Sequence, residues 1–173
     1  MKITAQEEYG LRCLVRLAHA EAQSATLPEI AAGEGLSVPY AAKLLAVLRQ
    51  AGIIDSVRGR SGGYRLAKAP ASIGLGSLLL ALGEPLYDDP GYCQRHAGIA
   101  EDGNCVHHGG CSLRALWHTL EHWIRSSLDQ ITLADLLQSE LQIVELVRSR
   151  LAQAPTLDPA PLITLAPLQM AGK

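Results

Sequence analysis

The chain contains no phenylalanine, and aromatic residues make up only 4% of it, five Tyr and two Trp. Binding single-stranded nucleic acid by stacking needs a run of aromatic faces, so that class is excluded. Charge is also sparse: 15 Lys/Arg against 17 Asp/Glu leave a net −2, which rules out a uniformly basic coat. No apolar run approaches the roughly 18 residues that a membrane-spanning helix requires. The opening MKITAQEEYG carries acids where a secretory leader would carry bases and then an apolar stretch. These absences predict a cytoplasmic protein without a membrane segment. There the four Cys are thiols or metal ligands rather than a disulfide framework. Catalytic signatures are missing as well: no G-x-S-x-G, no H-E-x-x-H and no phosphate loop ending in Lys-Ser/Thr. Neither an enzyme nor a small-molecule substrate is expected. A chain of 173 residues suffices for one compact domain, or for one domain plus an arm.

What is present is unevenly spread. Residues 1–70 hold nine Lys/Arg against six Asp/Glu, whereas residues 71–173 hold six against eleven. Between 37 and 68 the bases Lys43, Arg49, Arg58, Arg60, Arg65 and Lys68 face a single acid, Asp55. Three of the four Cys and five of the six His fall between 93 and 122. One stretch is basic, and another collects metal-ligand residue types.

Apolar spacing predicts a helix over 7–20. After a polar link, Thr26, Pro28 and Glu29 form a capping signature that starts a short helix ending near Glu34. Gly35-Leu36-Ser37 then turns the chain into a second helix, Val38 to Gln50. Small Ala31 permits close crossing, Gly35 suits positive φ at the corner, and Leu36 plugs between the helices. This is a helix-turn-helix pattern. Ser37 caps its second helix, and Val38, Pro39, Tyr40 and Lys43 are the side chains expected nearest a major groove, with Arg49 further along. Strand-like runs at 53–57 and 64–67 flank a Gly-rich turn and form a hairpin wing. At its tip Arg58, Arg60, Ser61 and Gly62 can meet phosphate or enter a minor groove. A helix pair or a basic hairpin alone is an ordinary solvated surface. In this order, with six bases to one acid, they point to double-stranded DNA. Beyond the wing, helices are expected at 76–82, 112–130, 132–138 and 140–152. The stretch 84–110 reads as irregular, and the tail from Pro155 holds four of the nine prolines.

The blocks MKITAQEEYGLRCLVRLA, LPEIAAGEGLSVPYAAKLLAVLRQ and, most specifically, AGIIDSVRGRSGGYRLAK resemble the Rrf2 family of bacterial winged helix-turn-helix regulators. The resemblance runs as far as TLADLL. It implies a mainly α fold with a small β-hairpin wing, and a homodimer paired through the long helix and bound to a palindromic operator. Residues 1–83 would be the DNA-binding domain, 84–111 a cluster-binding loop, and 112–138 the dimerisation helix with a short helix after it. Residues 139–173 would be an extension without an assigned role.

Cys93, Cys105 and Cys111 are spaced C-x11-C-x5-C, and Cys111 immediately precedes the long helix. A helix start offers unpaired N–H groups to an anionic group, and the neighbouring glycines let backbone wrap closely. In the cluster-sensing branch of the family three Cys occupy this loop, so the resemblance implies an iron–sulfur cluster on Cys93, Cys105 and Cys111. The first gap is longer than the common family spacing, and both 2Fe–2S and 4Fe–4S clusters stay open. For the fourth ligand, IscR-type members use a His where this chain has Arg114, whereas NsrR-type members use an acid that here is Glu8, donated by the other subunit. His107 or His108 is the alternative, and Glu7 and Arg12 border the Glu8 position. IscR-type members also carry a Glu at what is here Ala42, so a cluster-controlled choice between two DNA motifs through that Glu is not implied. The same residue types also suit a closed zinc site or a thiol–disulfide switch. Cys13, on the apolar face of the first helix, reads as a core residue, and Trp117 and Trp123 as core or dimer-interface anchors.

Overall fold

Two threonines, each followed three residues later by glutamate, start the first two helices. The computed structural model describes residues 3–20, 24–59, 62–85, 87, 92, 95, 98, 100, 105–107 and 111–152. Helix α1 spans Ala5–His19. The Thr4 hydroxyl accepts from the Glu7 N–H at 3.2 Å, and the Glu7 carboxylate accepts from the Thr4 N–H at 2.7 Å. Helix α2, Leu27–Gly33, repeats the reciprocal pair with Thr26 and Glu29. There the Thr26 backbone N–H, and then its hydroxyl, hold the Glu29 carboxyl below the usual range. Gly35 turns the corner at φ +64°, and helix α3, Val38–Gln50, begins under a cap from Ser37. The bounds of α2 and α3 agree with the pattern in the sequence because cap, corner and apolar stripe lie within a few residues of one another. Helix α1 starts two residues before the expected position 7 because the Thr4–Glu7 cap sets its start.

Strands β1 (Ile54–Val57) and β2 (Gly63–Leu66) pair antiparallel, from Ile54↔Leu66 to Val57↔Gly63. Ala25 adds a further rung, exchanging N–H···O bonds of 2.9 and 2.8 Å with Tyr64. Gly63 permits this approach, since a β-carbon there would lie 2.3 Å from the Ala25 carbonyl oxygen. The expected polar link therefore ends by stitching the wing to the chain ahead of α2.

Helix α4 spans Leu75–Leu82, α5 Ser112–Leu128 and α6 Glu140–Ala152. The helix expected over 132–138 is not formed; a single 3-10 turn at Asp135–Leu137 stands there. The Asp135 carboxylate accepts the Thr132 N–H at 2.8 Å and its hydroxyl at 2.9 Å, and Thr132 bridges to Gly74. Those backbone groups are thereby used in closing the chain onto the start of α4.

The chain divides into two units, residues 1–84 with 125–154, and residues 85–124 with 155–173. In the first unit, Leu14, Ile30, Leu44, Leu45, Leu48, Ile54, Leu78, Leu82 and Leu133 form one fully buried cluster. In the second unit, Tyr87 packs against Tyr92 at 5.1 Å and edge-on against His118 of α5 at 5.5 Å. Leu113 and Leu116 of α5 are exposed in the single chain.

Leu44 is fully buried, so Leu44→Ala removes packed side-chain atoms from under α3. Urea unfolding of this variant is expected to show a loss of about 2–5 kcal/mol.

Candidate nucleic-acid interface and thiol loop

The stripe of α3 formed by Ala41, Leu44, Leu45 and Leu48 is buried, so Val38, Pro39, Lys43 and Arg49 stand exposed beside it. Val38, Pro39 and Lys43 are near the N-terminal end of the helix, where Ser37 already accepts the Tyr40 N–H on its hydroxyl and the Ala41 N–H on its carbonyl. Tyr40 is half-buried: its ring meets Tyr9 of α1 edge-on, with centroids 6.2 Å apart. Its phenol is thus aimed by α1 rather than left to rotate freely.

A second contact holds the corner. Arg16 of α1 donates from Nε to Glu34 Oε1 at 2.6 Å and from Nη2 to the Gly33 carbonyl at 2.7 Å. The fork satisfies the end of α2 and fixes the angle at which α3 leaves it. Sequence reasoning did not find this pair. Eighteen residues separate the partners, and no local pattern links them.

In the wing, Arg58 is exposed directly after β1. Gly59 takes φ +127°, and the Gly62 N–H closes the turn onto the Gly59 carbonyl at 2.9 Å. Arg60 and Ser61 lie outside the described residues. Arg65 stands 3.7 Å from Asp55, and both are exposed, so the one acid of the basic stretch offsets little of its charge.

The thiol loop belongs to the second unit. Cys105 and Cys111 are free and half-buried. Cys105 Sγ accepts from the His107 backbone N–H at 3.4 Å. Cys111 acts as the N-cap of α5: its Sγ accepts from the Arg114 N–H at 3.4 Å and its carbonyl from the Ala115 N–H at 3.1 Å. Both sulfurs sit where backbone donors can hydrogen-bond a thiolate or a metal-bound sulfur. His107 is exposed, while Cys93 and His108 lie outside the described residues. Among the described residues no three His, Cys, Asp or Glu side chains converge as a metal site. In α1, Glu8 accepts from Arg12 Nε at 2.7 Å, and this hydrogen bond with its charge raises the Arg12 pKa. Glu7 serves its own N-cap.

Cys13 is the opposite case, fully buried, with its thiol pushed up to about 11, first by burial and then by the Glu34 charge. Treatment with iodoacetamide at pH 8 is expected to alkylate Cys105 and Cys111 and to spare Cys13, as read by peptide mass spectrometry. Because the Cys13 pKa is raised in the folded state, the contribution of this thiol to folding stability should be constant below about pH 8.5 and fall as pH rises towards 11.

No helix among the described residues is long and apolar enough to cross a membrane. Residues 3–139 match the Rrf2 family, described as an iron-dependent transcriptional regulator. The transcriptional regulator IscR of Aliivibrio salmonicida is 34% identical over 146 residues, 83% of this chain and 82% of that protein. The solved structure of T. potens IscR covers 79% of this chain and 86% of its own, with 33% identity and a TM-score of 0.58. CymR, the global cysteine regulator of B. subtilis, covers 79% of this chain and 96% of its own, with 30% identity and a TM-score of 0.57. The buried face of α3, its capped and exposed N-terminal turn and the hairpin wing are those of a DNA-binding regulator, and the chain belongs to the Rrf2 family of winged-helix transcriptional regulators.

Proposed function

We propose that the chain is a homodimeric regulator that binds a palindromic operator and whose affinity is set by an iron–sulfur cluster on Cys93, Cys105 and Cys111. The observation that carries this reading is the place of Cys111. Its sulfur caps a helix and takes a backbone N–H, and Cys105 takes another, so soft anionic ligands sit among ready donors. Glu8 of the second subunit is the fourth ligand, with His107 or His108 as the alternative. Its pairing with Arg12 shows that the side chain is half-exposed and reaches a cation on the surface of α1. When bound, such a cluster supplies a centre sensitive to redox state, nitric oxide and iron supply. The protein's share of the work is to present α3 and the wing to DNA. Val38, Pro39, Tyr40 and Lys43 meet the groove, and Arg49, Arg58 and Arg60 meet phosphate with Ser37, Ser61 and Gly62 beside them.

The likeness to CymR favours a second reading, in which the loop thiols are themselves the sensor. Two of them would then join as a disulfide, giving up two protons and two electrons to an external oxidant. Zinc on the same ligands is the remaining alternative.

Purification under nitrogen separates these readings. A coloured protein with iron, acid-labile sulfide and charge-transfer absorption supports the cluster, and Cys111→Ala should remove all three. A colourless protein with one zinc per chain, or with no metal and an oxidant-dependent disulfide, supports the alternatives. For the DNA interface, Arg58→Ala should weaken binding across sequences and reduce the slope of log K against log salt by about 1. An unchanged slope in filter binding would remove Arg58 from the interface.

A further inference from the structure

Helix α4 is eight residues long, and both of its ends are capped from elsewhere in the chain. Its N-cap, Gly74, has no side chain to offer. Asp129, just past α5, takes over: its Oδ1 accepts from the Ser77 N–H at 2.9 Å and from the Ser77 hydroxyl at 3.2 Å. Gly74 and Gly76 make the room. A β-carbon on Gly74 would lie 2.5 Å from Asp129 Oδ1, and one on Gly76 would lie 2.7 Å from the Arg125 carbonyl oxygen.

At the other end the Leu82 carbonyl, an unpaired acceptor of the last turn, receives Gln6 Nε2 of α1 at 2.5 Å. Gly10 lets the Leu82 side chain rest on the α1 backbone, and the Glu7 carboxylate covers Gly83. Between the two caps, Leu78 and Leu82 are buried in one cluster with Leu44, Leu45 and Leu48 of α3.

Connectivity gives these caps their meaning. The segment that carries the loop cysteines leaves the first unit directly after Gly83-Glu84 and re-enters it at Arg125, four residues before Asp129. Both covalent attachments of the thiol segment therefore lie beside a capped end of α4. We propose that α4, gripped by Asp129 and Gln6, is the element through which the chemical state of the cysteine loop reaches the recognition helix. Gln6 and Asp129 are positioning residues in this scheme. The inference rests on the loop being the sensor, but not on whether its thiols carry a cluster, zinc or a disulfide. A close-packed core does not absorb displacement continuously, so a shift imposed at either attachment moves α4 against α1 and α3 as a body.

The test uses the full-length chain and an operator duplex selected from random sequence with the wild-type protein. Loop thiols are blocked with iodoacetamide while buried Cys13 is spared. The ratio of operator affinities before and after blocking then measures coupling without reference to any metal. The wild type is expected to change about tenfold or more, and Gln6→Ala by less than about threefold, with untreated Gln6→Ala within about threefold of wild type. Gln6→Lys keeps a donor at the C-terminal end of α4 and adds a charge favoured there, so it should restore the wild-type ratio. A merely structural loss would instead lower operator and non-specific affinity together and leave the ratio alone. Retention of the full ratio in Gln6→Ala, or no change in the wild type on blocking, overturns the proposal. Should Gln6→Ala fail to fold, Asp129→Ala serves in its place with the same two outcomes. Absence of iron and sulfide with the thiol ratio intact would sink the cluster reading and leave the coupling standing. The presence of both, with a ratio near one, would do the reverse.

Discussion

Everything useful about the DNA-binding face depends on the burial of one stripe of α3. Leu44, Leu45 and Leu48 are fully buried, and each contributes roughly 1.5–3 kcal/mol by leaving water. That burial is what makes the opposite stripe a fixed surface. A recognition helix reads bases only if its first turn is held still, because hydrogen bonding to a base edge tolerates little displacement. The short hydrogen bonds of Arg16 to Glu34 and Gly33, and the edge contact of Tyr9 with Tyr40, refine a position that the leucines have already imposed. Polar contacts of this exposed kind contribute little stability by themselves. Their value is in selecting one orientation among several that the apolar core would accept.

Electrostatics works here at the scale of a segment. The chain as a whole is slightly acidic, yet residues 37–68 carry six bases against Asp55 alone. At physiological salt the screening length is about 8 Å, so phosphate responds to charges within one face and is largely blind to acids farther away. A whole-chain charge near zero therefore sets no limit on DNA binding.

The boundaries of α2 and α3, the positive φ at Gly35 and the hairpin were legible in the sequence through caps, corners and periodicity that act over a few residues. Helix α1 was legible as a helix by its apolar spacing but not in its start, which the Thr4–Glu7 cap sets. What escaped was settled at long range. Asp129 caps a helix that begins 54 residues earlier in the chain, and only the glycines at 74 and 76 hint that a foreign side chain must fit there. The run TLADLL has helical periodicity, yet Asp135 spends its carboxylate on Thr132 and leaves only a 3-10 turn. Ala25 looked like linker because its partner, Tyr64, lies across the wing. For the candidate site, the basic stretch and the cysteine cluster could be seen in composition alone. The capping role of Cys111 could be guessed from its place before the helix, whereas the donor at Cys105 depends on a turn that no spacing reveals.

Two cysteines show how environment divides one residue type. Cys13 lies among packed side chains, and its thiol is pushed up to about 11 by burial and then by the charge of Glu34, so it behaves as a small apolar residue. Cys111 stands at a helix start with its sulfur facing a backbone donor. A thiol sulfur is a weak acceptor and an ionised group a strong one, so the strength of that cap follows the charge on the sulfur. The first turn of α5 is thereby built on an atom whose bonding power changes with its chemistry, whichever partner it takes. The environment at the helix start ties a chemical event on sulfur to the first turn of α5.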